Sequence, residues 1–187
     1  MAASSEWGPL ARLAGEWEGN DGLDISFHNA ERETGETKFR EKVSMKPFGP
    51  VDNGQQHLYG LDYRMAAWRE GEENPFHTEV GYWLWDAASK QVMRCFMVPR
   101  GSTLIAGGTA EPSATTFSLE ANRGDDVYGI LQNHYLAEKA KTSKYVCTVR
   151  IEDDDTWSYD ELTSYHHYLG GEIAHVDRNT LHKVADA

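Results

Sequence analysis

The chain has 187 residues, long enough for one domain with a sizeable core and short for two. Thirty acidic against eighteen basic residues give a formal charge of −12, with no Lys/Arg cluster to override that sign, so nucleic acid and anionic membranes are not expected partners. The only cysteines, Cys95 and Cys147, lie in separate apolar stretches without a C-x-x-C pair, which speaks against a zinc site or a disulfide framework and for reduced core residues.

Residues 1–7 read as a tail and 8–187 as one barrel domain. Pro9 suits a first helical position, where its missing N–H costs nothing, and Leu10 and Leu13 share one helical face. This turn can therefore plug an apolar opening. It runs into Gly15-Glu16-Trp17-Glu18-Gly19, where two glycines bracket Trp17 and let the backbone bend while the ring points inward. Strands are predicted near 22–28, 36–46, 56–68, 77–86, 91–98, 102–110, 114–121, 127–137, 142–151, 156–169 and 171–184. The alternation is clearest in Gln91–Val98 and in Phe117-Ser118-Leu119-Glu120-Ala121. Turn signals separate the segments at Asp52-Asn53-Gly54, Asp86-Ala87-Ala88-Ser89, Pro99-Arg100-Gly101, Arg123-Gly124-Asp125-Asp126 and Asp153-Asp154-Asp155. The longest loop is expected over 46–56, stiffened by Pro47 and Pro50. Short spacings make consecutive strands antiparallel, and about ten of them without crossover helices close most simply into an up-and-down barrel. The fold class is therefore all-β, a single closed antiparallel barrel with a short N-terminal helical plug and room for a ligand.

The N-terminal residues show no basic region followed by an apolar one, and no apolar run is long enough to span a bilayer, so cytoplasmic residence without a membrane partner is expected.

Eight histidines stand out: His28, His57, His77, His134, His166, His167, His175 and His182. His28, His57, His134 and His182 read as solvated or hydrogen-bonded residues. His166 and His167 are adjacent in a strand and point to opposite faces, so they do not readily share an ion. A histidine in an otherwise apolar barrel, such as His77 or His175, suits axial ligation of haem iron. No H-E-x-x-H, G-x-S-x-G elbow, phosphate loop or dinucleotide fingerprint occurs, and no catalytic residue is assigned.

Three segments taken together, Gly8–Gly19, Pro75-Phe76-His77-Thr78-Glu79-Val80-Gly81-Tyr82 and the stretch around His175, resemble the nitrobindins over about residues 8–184. The resemblance implies a fatty-acid-binding-protein-like barrel holding one ferric haem b per subunit, which binds nitric oxide and isomerises peroxynitrite to nitrate. It implies His175 as axial ligand of the haem iron, with Phe76 and His77 flanking the distal face. Around and beyond the Gly15, Trp17, Gly19 motif the chain departs from the family pattern in two respects. The usual third glycine is replaced by Asp21, with Gly22 one residue later, and Leu23-Asp24-Ile25-Ser26-Phe27 stands where the family has a Tyr-Pro-Thr-like stretch beside the haem. The alternative reading is a haem-free barrel for a small apolar ligand, with Tyr82, Trp83, Trp85 and Phe96 lining or packing the cavity. Either reading is compatible with a homodimer.

Overall fold

The computed structural model describes residues 5–187. It begins with a 3-10 segment, Ser5–Leu13, followed by β1 (Gly15–His28), β2 (Glu33–Asn53), β3 (Gln56–Arg69), β4 (His77–Asp86), β5 (Gln91–Val98), β6 (Ser102–Thr109) and β7 (Thr116–Asn122). Then come β8 (Ile130–Gln132), the one-turn helix α1 (His134–Lys139), β9 (Ala140–Ile151), β10 (Thr156–His167) and β11 (Gly171–Ala185). All named strand pairs are antiparallel, in the order β5-β4-β3-β2-β1-β11-β10-β9-β7-β6, and pairing of β5 with β6 closes a ten-stranded barrel. The eleventh strand, β8, lies against the start of β6, and β7 meets β6 only at Gly107.

The N-terminal segment kinks at Gly8, which holds φ +53° with its Cα against the Trp85 ring, where a side chain would find no room. Beyond the kink, Leu10 and Leu13 are fully buried and stop one end of the barrel, as the plug reading expects. The helical segment also takes in Ser5–Trp7 of the expected tail, while Met1–Ser4 lie outside the described residues. Trp7 Nε1 donates to the carbonyls of Gly60 (2.9 Å) and Phe48 (3.2 Å).

Two expectations need correction. The stretch 46–56 is not a long loop: β2 continues to Asn53 and pairs with β3 across a bulge between Phe48 and Val51. Pairing of β2 with β1 ends at Met45, so Pro47 and Pro50 lie on an open strand edge, where no ladder N–H is required. The expected strand 127–137 is in fact the three-residue β8 followed by α1. Asn133 ends the strand by capping the helix, its side chain accepting the Leu136 N–H (2.9 Å) and donating to the Arg100 carbonyl (2.8 Å).

Along its axis the barrel interior has three levels. Under the plug is an apolar floor that includes Trp17, Met45, Leu61, Trp83, Trp85, Val149 and Leu181. Above it is a buried polar belt, and above that an open cavity. Trp17 Nε1 donates to the Leu13 carbonyl (2.9 Å), and its ring meets Trp157 edge-on. Cys147 is buried and Cys95 partly so, and neither is in a disulfide.

Candidate functional site

The polar belt is centred on Arg94 of β5, which is 4% exposed. Its guanidinium donates to Glu79 Oε2 on β4 (2.7 Å), to Tyr63 Oη on β3 (2.7 Å), and to Glu161 on β10 and Tyr145 on β9. Tyr63 Oη donates to Glu79 Oε2 (2.8 Å), and His77 Nε2 contacts Glu79 Oε1 (3.0 Å). Burial works against ionisation of Glu79, but the charges of Arg94 and His77 outweigh it and hold the carboxyl at a pKa of about 2. Glu161 moves the other way, because burial outweighs its pairing with Arg94. Beside this cluster, Glu41 accepts from Tyr159 Oη (3.1 Å) and Asn179 Nδ2 (3.0 Å). With no cation bonded to it, burial dominates and lifts its pKa to about 8.

Above the belt is a cavity of about 620 Å³ that reaches solvent at the barrel end opposite the plug. Its apolar wall includes Phe39, Met65, Ala67, Phe76, Phe96 and Leu104. Exposed Arg69 and Arg100 stand at its mouth, the Arg69 guanidinium 4.5 Å from the centre of the Phe76 ring.

Phe76, His77 and His175 all line this one cavity. His175 faces inward because it shares the alternation of Ile173, Asn179 and Leu181 on β11. Its Nε2 is held between two carboxylates, Asp24 Oδ2 on β1 (2.9 Å) and Asp177 Oδ2 (3.0 Å). Burial opposes a charge on the ring, but the hydrogen bonds to Asp177 and Asp24 prevail and raise the His175 pKa to about 10. Burial likewise opposes ionisation of Asp24, yet its bond to His175 lowers its pKa. Asp177 is raised, because burial and the neighbouring Asp24 charge outweigh the same imidazole.

Asp24 reaches this site through an irregularity in β1. The registers with β2 and β11 both shift around residues 19–22, so the buried positions change from Trp17 and Gly19 to Gly22 and Asp24. Strict alternation from Trp17 would turn Leu23 and Ile25 inward and Asp24 out. The sequence signal is the glycine displaced to position 22. Asp177 and Glu79 were not expected at the site, although each stands two residues beyond an expected site histidine, His175 or His77, on the same strand face. Arg94, Glu161 and Glu41 carry no local signal of their own.

The remaining histidines divide cleanly. His28 and His167 line the cavity, the latter 7% exposed and stacked near Phe27. His57, His166 and His182 lie at the surface beside Asp52, Glu172 and Thr156, and His134 is exposed at the start of α1. Of the four aromatics expected at a cavity, Phe96 alone lines it. Trp83 and Trp85 are buried in the floor, and Tyr82 is half exposed on the outer face.

The model of the THAP4-like, heme-binding beta-barrel domain matches residues 6–183. The chain belongs to this family. Rv2717c from M. tuberculosis, a solved structure, is similar in fold, with a TM-score of 0.65 at 20% identity, covering 93% of this chain and 94% of that one. No curated protein matches. For this haem-binding barrel family the residues can be tested directly against haem. The apolar wall fits a flat macrocycle, and Arg69, which also pairs with Glu72, and Arg100 are placed at the mouth to meet acidic substituents, with Glu31 in the same lining. The ligand position for iron fits less well: His175 Nε2 is held between two carboxylates, and a haem iron, with a single coordination position on that face, could take the histidine only by drawing it away from both.

Proposed function

We propose that the chain is a small-molecule-binding barrel whose cavity takes a flat, largely apolar ligand with acidic substituents, the class to which haem b belongs. The observation that carries this reading is the 620 Å³ cavity, with aromatic and aliphatic walls and arginines at its mouth, in a chain of the haem-binding barrel family. Arg69 and Arg100 would face the acidic groups, and Phe39, Phe76 and Phe96 the flat faces.

The test is a titration with hemin followed by its Soret band, on the wild type, Ala67→Trp and His175→Ala. A saturable 1:1 band is expected in the wild type, with affinity at least tenfold weaker in Ala67→Trp, where the bulky indole fills the cavity. No saturable band, or one indifferent to the filled cavity, would overturn the reading. The His175→Ala arm addresses the iron. With Nε2 engaged by Asp24 and Asp177, the affinity is expected to stay within a few-fold of wild type. Loss of the band would instead establish His175 as the axial ligand. The ferric state, nitric oxide binding and peroxynitrite isomerisation implied by the resemblance depend on that second outcome.

The engaged state of His175 favours a second reading, a haem-free barrel for an apolar ligand. Saturable binding of a fluorescent fatty-acid probe, blocked in Ala67→Trp and accompanied by no hemin binding, identifies it.

A further inference from the structure

We propose that Asp24, His175 and Asp177 are the protein ligands of a mononuclear divalent-cation site in the wall of the cavity. Each offers one ligand atom, and the three atoms lie within 4.8 Å of one another. Two ligand atoms about 2.1 Å from an ion and at right angles around it are about 3.0 Å apart. His175 Nε2 stands 2.9 Å from Asp24 Oδ2 and 3.0 Å from Asp177 Oδ2, the separations of neighbouring ligands. A hydrogen-bonded proton spans the same distance, so the metal-free protein already holds the three atoms where an ion needs them.

The backbone makes this arrangement specific. Asp24 and Asp177 are direct cross-strand partners on β1 and β11, and His175 is two residues along the same inner face. The bulge in β1 is what turns Asp24 inward. A further group orients a ligand: Ser26 Oγ donates to Asp24 Oδ1 at 2.5 Å and fixes the carboxylate so that Oδ2 faces the histidine. All four residues line the cavity, and since the ligands come from one wall, positions remaining on the ion would open to it. One imidazole nitrogen and two carboxylate oxygens, without a thiolate, suit Mn²⁺, Fe²⁺ or Zn²⁺ rather than soft ions. Two carboxylates also balance the charge of a divalent ion, which lowers the cost of holding it in a partly buried place.

This site needs no haem, and although it shares the cavity and His175 with the ligand proposed there, the two are read in separate titrations. The experiment is isothermal titration of the metal-free full-length chain with Mn²⁺ and with Zn²⁺ at fixed pH. It is run on the wild type, Asp24→Asn, His175→Ala, Asp177→Asn, Ser26→Ala and the surface control His166→Ala, each first checked for the wild-type circular dichroism spectrum. One equivalent of metal is expected, with affinity reduced more than tenfold by loss of any of the three ligands. Ser26→Ala, which leaves the ligands in place, should weaken binding about tenfold, and so reports on the site even if an aspartate variant does not fold. His166→Ala should change nothing. Absence of stoichiometric binding, binding that survives replacement of Asp24, His175 and Asp177, or binding lost with His166 would overturn the proposal. Failure of hemin to bind would not affect this result, nor would failure of the metals affect the hemin titration.

Discussion

Glu41 is the clearest case in which one residue's surroundings set a property of the whole protein. It is 1% exposed, and its hydrogen-bond donors, Tyr159 and Asn179, are neutral. In the unfolded chain the carboxyl releases its proton near the ordinary value of 4.5, whereas in the fold it keeps it to about 8. Between those two pH values the unfolded state gains free energy from ionising and the folded state does not, so stability falls as pH rises through that window and levels off above it. Glu41→Gln preserves an acceptor for Asn179 and removes the titration. Denaturant midpoints at pH 5 and pH 8 should therefore differ less in Glu41→Gln than in the wild type, and an equal drop in both would show that Glu41 is not the source. Gly19 serves the same cluster, since a Cβ there would sit 2.5 Å from Asn179 Nδ2. That gives the glycine of the Gly15, Trp17, Gly19 motif a physical purpose beyond bending the strand.

At the scale of elements, the sequence was most legible where alternation was unbroken. The expected strands 77–86 and 91–98 match β4 and β5 to the residue, and His175 lies inward on β11 because nothing interrupts the alternation down to Leu181. Legibility failed where an extra residue or a cap redirects the chain. The bulge in β1 brings Asp24 inward, and the edge position of Pro47 and Pro50 lets β2 outlast its pairing with β1. Between β8 and β9, apolar residues that suggested a strand instead form a turn of helix because Asn133 caps it. Leu136, 5% exposed, then closes one side of the cavity. Replacing Asn133 with Ala removes both the cap and the bond to the Arg100 carbonyl, and should lower stability by about 1 kcal/mol. Faster amide exchange confined to α1 and the start of β6 is the local signature to measure. A uniform loss of protection would contradict the assignment of Asn133 as a local cap.

For the whole molecule, the decisive feature is that the barrel is filled at one end and open at the other, and Arg94 lies at the boundary. From β5 it reaches β3, β4, β9 and β10, and three of these, β3, β9 and β10, share no ladder with its own strand. None of this could be read from Gln91–Val98, where Arg94 looked like one polar residue in an alternating strand, because its partners are distant in sequence. The belt does not follow from hydrophobic closure, since an apolar layer would fill the same space. A buried ion pair is weak evidence for stability, but removing one partner leaves the others buried and uncompensated. Arg94→Leu should accordingly cost about 3–5 kcal/mol, because Glu79 and Glu161 lose their cation while staying in place. Neutralising both acids in the same chain, as Arg94→Leu with Glu79→Gln and Glu161→Gln, should recover most of that loss. Equilibrium denaturation of the single and triple variants measures the difference. Full recovery would mean that the belt is kept for the charge it presents to the cavity floor and not for the stability of the barrel. A triple variant as unstable as Arg94→Leu would mean that the guanidinium's hydrogen bonds to Tyr63 and Tyr145 are what hold the opposite walls together.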